Sequence, residues 1–247
     1  MAEKESLECQ YCGTVLKSKT GKKLHERACE KRPETILFFC AHNDDQIVGA
    51  GGTVAKYSKE GKKVITIVFS FGEFSSPHLK EKVVRKKRVK ESKRASKLLG
   101  ESELYYLGLK EGNFKEEIKE RNIHDKIKKI IEKIKPDRIF THAVDDPHPD
   151  HRAVYGFTMD IVEELNFEGE VYSFNVWNLF LNFKKNRLPK LVVDITDTFK
   201  IKVEAFKKHK SQMINAIIPL MWNIYVQALL YGLNNNVKYA EVFYKVK

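Results

Sequence analysis

Residues 35–46 read TILFFCAHNDDQ, and the architecture of the whole chain follows from this stretch. Its first six residues are continuously apolar, which is typical of a short strand buried on both faces of a parallel sheet. Residues 41–46 then place a histidine, two aspartates and two amides directly after the strand. In open α/β sheets, ligands bind beyond the carboxyl ends of the strands. We therefore expect residues 41–46 to lie at a functional site.

The rest of the chain alternates apolar strands with amphipathic helices. This alternation predicts an α/β fold with a Rossmann-like, mainly parallel sheet flanked by helices. Strands are predicted at residues 35–40, 64–69, 104–107, 138–142, 171–177 and 190–195. Helices are predicted at residues 47–59, 80–99, 117–134, 151–165, 197–213 and 220–230.

A second polar segment, residues 148–151 (HPDH), follows the strand predicted to end at His142. Because parallel strands end at the same edge of a sheet, this segment and residues 41–46 can meet in space. Together they supply what a catalytic zinc site needs, namely three protein ligands, an open position for water and a spare carboxylate. The sequence therefore predicts a zinc hydrolase.

The N-terminal thirty residues carry the spacing of a structural zinc finger. Cys9, Cys12, His25 and Cys29 follow the pattern C-x2-C-x12-H-x3-C. The segment has almost no apolar residues with which to build a core, so we expect its folding to require the metal. The predicted domains are a C2HC zinc-finger module with its linker at residues 1–33 and the α/β domain at residues 34–247.

Composition leaves the partners of the chain open. The net charge of +12 is concentrated in residues 80–97 and would favour an anionic partner such as nucleic acid. A solvated face of a lysine-rich helix is the favoured explanation, because no aromatic residues interleave with the charges as base stacking requires. The apolar runs are too short for a transmembrane segment, and we expect a cytoplasmic protein. The oligomeric state stays open.

The two polar segments resemble the signatures of the N-acetylglucosaminyl deacetylases, the PIG-L or LmbE-like zinc amidohydrolases. The family motif A-H-P-D-D-E stands here as residues 41–46, and H-P-D-H is intact at residues 148–151. Weaker motifs follow in the family order at residues 88–100, 106–112, 202–212 and 239–241. The resemblance covers about residues 35–247 and implies an LmbE-like deacetylase domain, with the finger outside it.

The resemblance implies that His42, Asp45 and His151 bind the catalytic zinc ion, in addition to the structural zinc ion of the finger. Two positions depart from the family motif: Asn43 replaces its proline and Gln46 its glutamate. The glutamate supports the metal site indirectly, so we expect Gln46 to reduce the negative charge around the ligands without removing the metal.

The resemblance also implies the catalytic roles. Asp44 would take the proton of the attacking water as general base. Protonated His148, oriented by Asp150, would help zinc to stabilise the tetrahedral oxyanion. Arg88 would contact the sugar from the rim of the site.

The predicted function is zinc-dependent hydrolysis of the acetamide of an N-acetylglucosamine-type substrate, releasing acetate and a free amine. The partner would be a small N-acetylated sugar or glycoconjugate. One alternative is a zinc amidohydrolase with another acyl amide substrate. Another is a nucleic-acid- or protein-binding module in which the finger and the basic helix act and the deacetylase domain is catalytically retired.

Overall fold

A computed structural model of the chain describes residues 7–75, 78–177, 188–212 and 218–247. The chain divides into two compact units, Met1–Glu34 and Thr35–Lys247. Within the described ranges, no helix combines the length and the apolar character that crossing a membrane requires.

The larger unit is built on a seven-stranded sheet with the order β3-β2-β1-β4-β5-β7-β6. The strands are β1 (Thr35–Cys40), β2 (Lys63–Ser70), β3 (Glu103–Leu109), β4 (Arg138–His142), β5 (Glu170–Phe174), β6 (Lys190–Asp194) and β7 (Ala240–Lys245). The first five strands are parallel, whereas β7 is antiparallel to both of its neighbours, β5 and β6. The prediction of a mainly parallel α/β sheet is therefore confirmed.

Helices cover both faces of this sheet. The described helices are α1 (Lys19–Ala28), α2 (Asp45–Lys59), α3 (Glu81–Leu99), α4 (Phe114–Glu120), α5 (Ile123–Ile134), α6 (Pro149–Glu164), α7 (Phe199–Phe206) and α8 (Ile218–Leu233). The core on one face contains residues of α2, α3, α7 and α8, and the core on the other contains residues of α4, α5 and α6.

Strand β1 lies in the interior of the sheet, between β2 and β4, and contributes to both cores. Phe38 belongs to the core beneath α2, and Leu37 and Phe39 belong to the core beneath α6. All six residues of β1 are buried, because side chains alternate between two covered faces. This explains why the apolar run of residues 35–40 is continuous rather than alternating.

Three predicted elements are divided in the structure or end at least three residues early. The helix predicted at residues 117–134 is two helices, α4 and α5, because Asn122 between them adopts a left-handed conformation with φ of 49°. The strand predicted at residues 171–177 ends at Phe174. The helix predicted at residues 197–213 is α7 followed by a 3-10 turn at Lys210–Gln212, and residue 213 lies outside the described residues.

Helix α3 explains much of the positive charge of residues 80–97. It buries one face, which includes Val84, Arg88 and Ala95. The lysines of α3 lie outside this face, and all of them are exposed. The helix ends at Gly100, whose φ of 77° is a left-handed conformation that glycine adopts without strain.

Candidate metal-dependent active site

The two polar segments lie side by side at the carboxyl edge of the sheet. Strands β1 and β4 are adjacent and parallel, with Phe38 paired to Phe140, so the loops that follow them emerge together. Asp44 occupies the N-cap position of α2, and His148 occupies that of α6. The predicted convergence of the two segments is thus present in the structure.

Three predicted ligands form a compact buried group: His42, Asp45 and His151. Nδ1 of His42 lies 3.3 Å from Nε2 of His151. The Asp45 carboxylate reaches both rings, with Oδ2 at 3.7 Å from His42 Nδ1 and Oδ1 at 3.4 Å from His151 Nε2. Donor atoms at these separations are close enough to share one ion at the usual Zn–N and Zn–O bond length of about 2 Å. The donor set therefore fits a divalent cation such as zinc.

The charges around these donors also favour a cation. Burial opposes protonation of His42, but the carboxylates of Asp150 and Asp45 outweigh it and raise the pKa of His42 to about 10. Burial opposes ionisation of Asp45, yet His151 and His142 hold the pKa of Asp45 well below its usual range. A positive charge placed between these groups is stabilised by the surrounding carboxylates.

Further residues that the sequence reasoning missed surround the ligands. Oδ1 of Asp146 lies 3.0 Å from Nδ1 of His151. Nε2 of His142 accepts the backbone N–H of Ala41 at 3.0 Å and lies 3.2 Å from Oδ2 of Asp45. Oε1 of Glu111 lies 3.4 Å from Nε2 of His42. Each follows or ends a strand of the parallel sheet, and that position is the signal that would have identified them.

Asp44 is available for chemistry rather than for helix capping. It stands at the N-cap of α2, but its side chain makes no capping hydrogen bond. Instead, its Oδ1 accepts a hydrogen bond of 3.3 Å from the guanidinium of Arg88.

Arg88 is itself buried and donates a second hydrogen bond to the carbonyl oxygen of Gly72 at 2.9 Å. Arg88 lines the same cavity as Asp44, although its guanidinium is also held by protein groups. Its contact with the sugar at the rim of the site stays a prediction. Gly72 has a φ of 72°, and a Cβ atom there would collide with the Arg88 guanidinium, so glycine is required.

Asp150 contacts His148 through its backbone. The N–H of Asp150 donates a hydrogen bond of 3.1 Å to Nδ1 of His148. The Asp150 carboxylate accepts from the N–H of Gly112 at 3.0 Å and lies 3.4 Å from Nε2 of His42. Burial, with His42 and His151, lowers the pKa of His148 to about 4. Because Nδ1 accepts a hydrogen bond, a neutral His148 ring carries its hydrogen on Nε2.

The two departures from the family motif are both buried. The side-chain amide of Gln46 donates to Oε1 of Glu101 at 3.3 Å, which also accepts from the hydroxyl of Thr66. The described side-chain contact of Gln46 is thus with Glu101, and its effect on the charge around the ligands stays a prediction. The amide of Asn43 has no hydrogen-bond partner among the described residues.

Two residues of the late motifs, Lys202 and Glu241, support the site from behind. Glu241 accepts hydrogen bonds from the backbone N–H groups of Gly52 and Thr53, at 3.0 and 2.7 Å, and pairs with buried Lys202 at 2.6 Å. This pair fixes the middle of α2, the helix that begins at Asp45. Their role is structural, since none of these groups lines the cavity of the site.

A cavity of about 380 Å³ opens onto the cluster. Its lining includes Asp44, His148 and Asp150 together with the apolar side chains of Trp177 and Leu220. Cavities of this size and mixed character are typical of small-ligand sites.

The finger residues form a separate group in the smaller unit. The ligand atoms of Cys9, Cys12, His25 and Cys29 all lie within 4.8 Å of one another. Sγ of Cys12 lies 3.1 Å from Nε2 of His25.

The fold and the site define a Rossmann-like α/β protein with a candidate metal centre at the carboxyl edge of its sheet. Residues 37–162 match the family described as PIG-L: GlcNAc-PI de-N-acetylase. The chain belongs to this family. The prediction of a hydrolytic N-deacetylase from the two motifs is confirmed at the level of the family.

Two deacetylases of archaeal origin are similar over most of the chain. A diacetylchitobiose deacetylase of Thermococcus kodakarensis is 27% identical over 228 residues, which is 83% of this chain and 80% of the relative. The structure of an N,N'-diacetylchitobiose deacetylase from Pyrococcus horikoshii superimposes with a TM-score of 0.72 at 24% identity, covering 87% of this chain and 85% of that one.

The same fold also carries other chemistry. The 4-carboxy-2-hydroxymuconate hydratase GalB of Pseudomonas putida KT2440 gives a TM-score of 0.73 at 18% identity, covering 87% of this chain and 96% of that one. The reaction must therefore be argued from the side chains of the site and not from the fold alone.

Proposed function

We propose that the chain hydrolyses the acetamide of an N-acetylglucosamine-type substrate, using one zinc ion held by His42, Asp45 and His151. The observation that carries this proposal is the convergence of the three donors, at 3.3 to 3.7 Å from one another, beside a cavity that is also lined by the carboxylate of Asp44. The similarity to diacetylchitobiose deacetylases supports the choice of substrate. A zinc ion bound there would polarise the amide carbonyl and lower the pKa of a nearby water.

Asp44 is the proposed general base. Its carboxylate lines the cavity next to the ligand Asp45, and Arg88 holds it in place from the protein side. It would take a proton from the attacking water and return that proton to the nitrogen of the sugar as the C–N bond breaks. The products are acetate and the free amine.

His148 is the proposed donor to the oxygen of the amide. Its Nδ1 accepts the N–H of Asp150, which leaves Nε2–H free to donate as negative charge develops on that oxygen. The proposed donor is a neutral imidazole, where the resemblance implies a protonated one. Asp150 is a proposed positioning residue, because its backbone N–H contacts His148 and its carboxylate contacts the ring of the proposed ligand His42.

The substrate proposal rests on the cavity and the relatives together. Trp177 and Phe74 offer apolar surface, and the carboxylates of Glu111 and Asp150 offer hydrogen-bond acceptors to hydroxyl groups. A small N-acetylated sugar or glycoconjugate presents both kinds of surface. Another acyl amide would satisfy the reacting groups equally well, so substrate profiling separates the two.

The test is acetate release from N-acetylglucosamine, diacetylchitobiose and non-sugar acetamides such as N-acetylated amino acids, with metal content measured on the same preparation. We expect release from the sugars, dependent on bound metal. Activity confined to the non-sugar amides would point to the alternative substrate class. Full activity after complete removal of the metal would contradict the proposal as a whole.

A further inference from the structure

The N-terminal unit contains a second donor cluster, which the proposed function does not use and the family match at residues 37–162 does not reach. We propose that Cys9, Cys12, His25 and Cys29 hold a structural zinc ion, and that this ion takes the place of a hydrophobic core in the unit. The proposal does not depend on the proposed function of the larger unit.

The chemistry of the donors selects the metal. Three thiols and one imidazole are the ligand set of closed structural zinc sites, which leave no position for substrate. All three cysteines are free of disulfide bonds. Their sulfur atoms and the histidine nitrogen lie within 4.8 Å of one another, close enough to share one ion. The softness of thiolate ligands argues against magnesium and calcium.

Local structure presents the first two ligands on a tight turn. The N–H of Gly13 donates to the carbonyl of Cys9 at 2.9 Å, and the N–H of Cys9 donates to the carbonyl of Thr14 at 2.8 Å. The turn needs glycine because Gly13 has a φ of 77°. Oγ1 of Thr14 lies 3.1 Å from Sγ of Cys12, so the hydroxyl supports that ligand from outside.

Helix α1 presents the other two ligands, His25 and Cys29. Its N-cap is Ser18, whose side chain accepts the N–H of Gly21 at 3.0 Å, and His25 lies in its last turn. Cys29 follows four residues later, at the C-cap, so both ligands project from one side of the helix. The helix has ten residues and is too short to be stable by itself in water.

Burial within the unit shows what holds these pieces together. Among the side chains that the structure describes in residues 7–34, only Cys9 and Cys29 are buried. The larger apolar side chains are not: Val15 is 75% exposed and Leu24 is 59% exposed. A unit whose buried side chains are its metal ligands has no other centre on which to fold.

The experiment uses the full chain loaded with Co²⁺, because thiolate ligands give cobalt a charge-transfer absorption that imidazole and carboxylate ligands do not. We expect this band in the parent protein and in His151→Ala. We expect its loss, with one metal ion fewer per chain, in Cys12→Ser. Cys40→Ala is the matched control, since Cys40 is a buried cysteine of β1 outside the cluster, and it should keep the band.

A second measurement removes the dependence on any variant. Amide hydrogen exchange of α1 in the parent protein should accelerate on removal of metal with a thiol-competing chelator and slow again when Zn²⁺ is returned. Cys12→Ser should still release acetate from the sugar substrate, which separates this site from the catalytic one. A charge-transfer band that survives in Cys12→Ser, or an α1 that stays protected without metal, would overturn the proposal.

Discussion

The carboxylate of Asp146 lies 3.0 Å from Nδ1 of His151, and both side chains are wholly buried. This contact fixes the ring so that Nε2 faces Asp45 and His42, at 3.4 and 3.3 Å. Oδ1 of Asp146 also accepts the backbone N–H of His148 at 2.9 Å. One carboxylate therefore positions a proposed ligand and the start of the segment that carries a proposed catalytic histidine.

Replacing Asp146 should weaken metal binding. Partners of metal-ligating histidines typically contribute about 10- to 100-fold to metal affinity. We expect Asp146→Asn to lose affinity by about this factor, because an amide is a weaker and uncharged acceptor for the imidazole N–H. Competition with a chelator measures the change. Asp197→Asn, an exposed aspartate away from the site, is the control, and equal affinities in the two variants would refute the role.

Replacing Asp44 should separate metal binding from turnover. Loss of a general base typically costs about 10²- to 10⁴-fold in rate. We expect Asp44→Asn to show a loss of kcat in this range while the metal content of the larger unit is unchanged. The measurement is acetate release under saturating sugar on protein of known metal content. Turnover near that of the parent would remove Asp44 from the mechanism.

A double-mutant cycle should show a coupling energy between Arg88 and Asp44. Breaking a buried ion pair by removing one partner typically costs about 3–5 kcal/mol, because the other charge stays buried without compensation. Arg88→Met should therefore destabilise the parent strongly and destabilise the Asp44→Asn variant less. Denaturant unfolding of the four proteins gives the coupling. Additive effects would mean that the 3.3 Å contact contributes nothing to stability.

Gln46→Glu should make stability depend on pH. Burial already raises the pKa of Glu101, and the substitution would place a second carboxyl about where the Gln46 amide now donates to it. Two adjacent buried carboxyls share one proton, so the folded state favours protonation more than the unfolded state does. The added destabilisation is therefore present at high pH and relieved as pH falls.

Thermal unfolding at pH 5 and pH 8 tests this prediction. The difference in Tm between Gln46→Glu and the parent should be larger at pH 8. Gln46→Met is the matched control, because it removes the hydrogen bond without adding a charge and should cost about 1–3 kcal/mol at both pH values. A pH-independent loss in Gln46→Glu would show that Glu101 does not interact with the introduced carboxyl.

Much of this site could be predicted from local sequence. The continuous apolar run before residues 41–46 and the strand before residues 148–151 fix both segments at strand ends, and parallel strands bring those ends together. The strand positions were enough to predict that the two segments approach each other, whereas the choice of His42, Asp45 and His151 as ligands came from the resemblance to the family motifs.

The remaining relations depend on tertiary contacts that no sequence period encodes. Asp150 lies two residues from His148, yet its carboxylate turns to Gly112 and His42 because the β3–α4 loop offers a backbone N–H there. The lysine-rich pattern of α3 gave no sign that Arg88 is buried against Asp44. The break at Asn122 was missed because isoleucines lie on both sides of it and no glycine or proline stands between them.

The most direct test of the central claim is anomalous diffraction from crystals of the zinc-loaded protein. We predict a zinc peak about 2.0–2.2 Å from Nδ1 of His42, a carboxylate oxygen of Asp45 and Nε2 of His151. Two other groups of donors each include one of these ligands. One group is His42, His148 and Asp150, and the other is His142, Asp146 and His151. A peak ligated by either of those groups, or no peak at this edge of the sheet, would contradict the assignment.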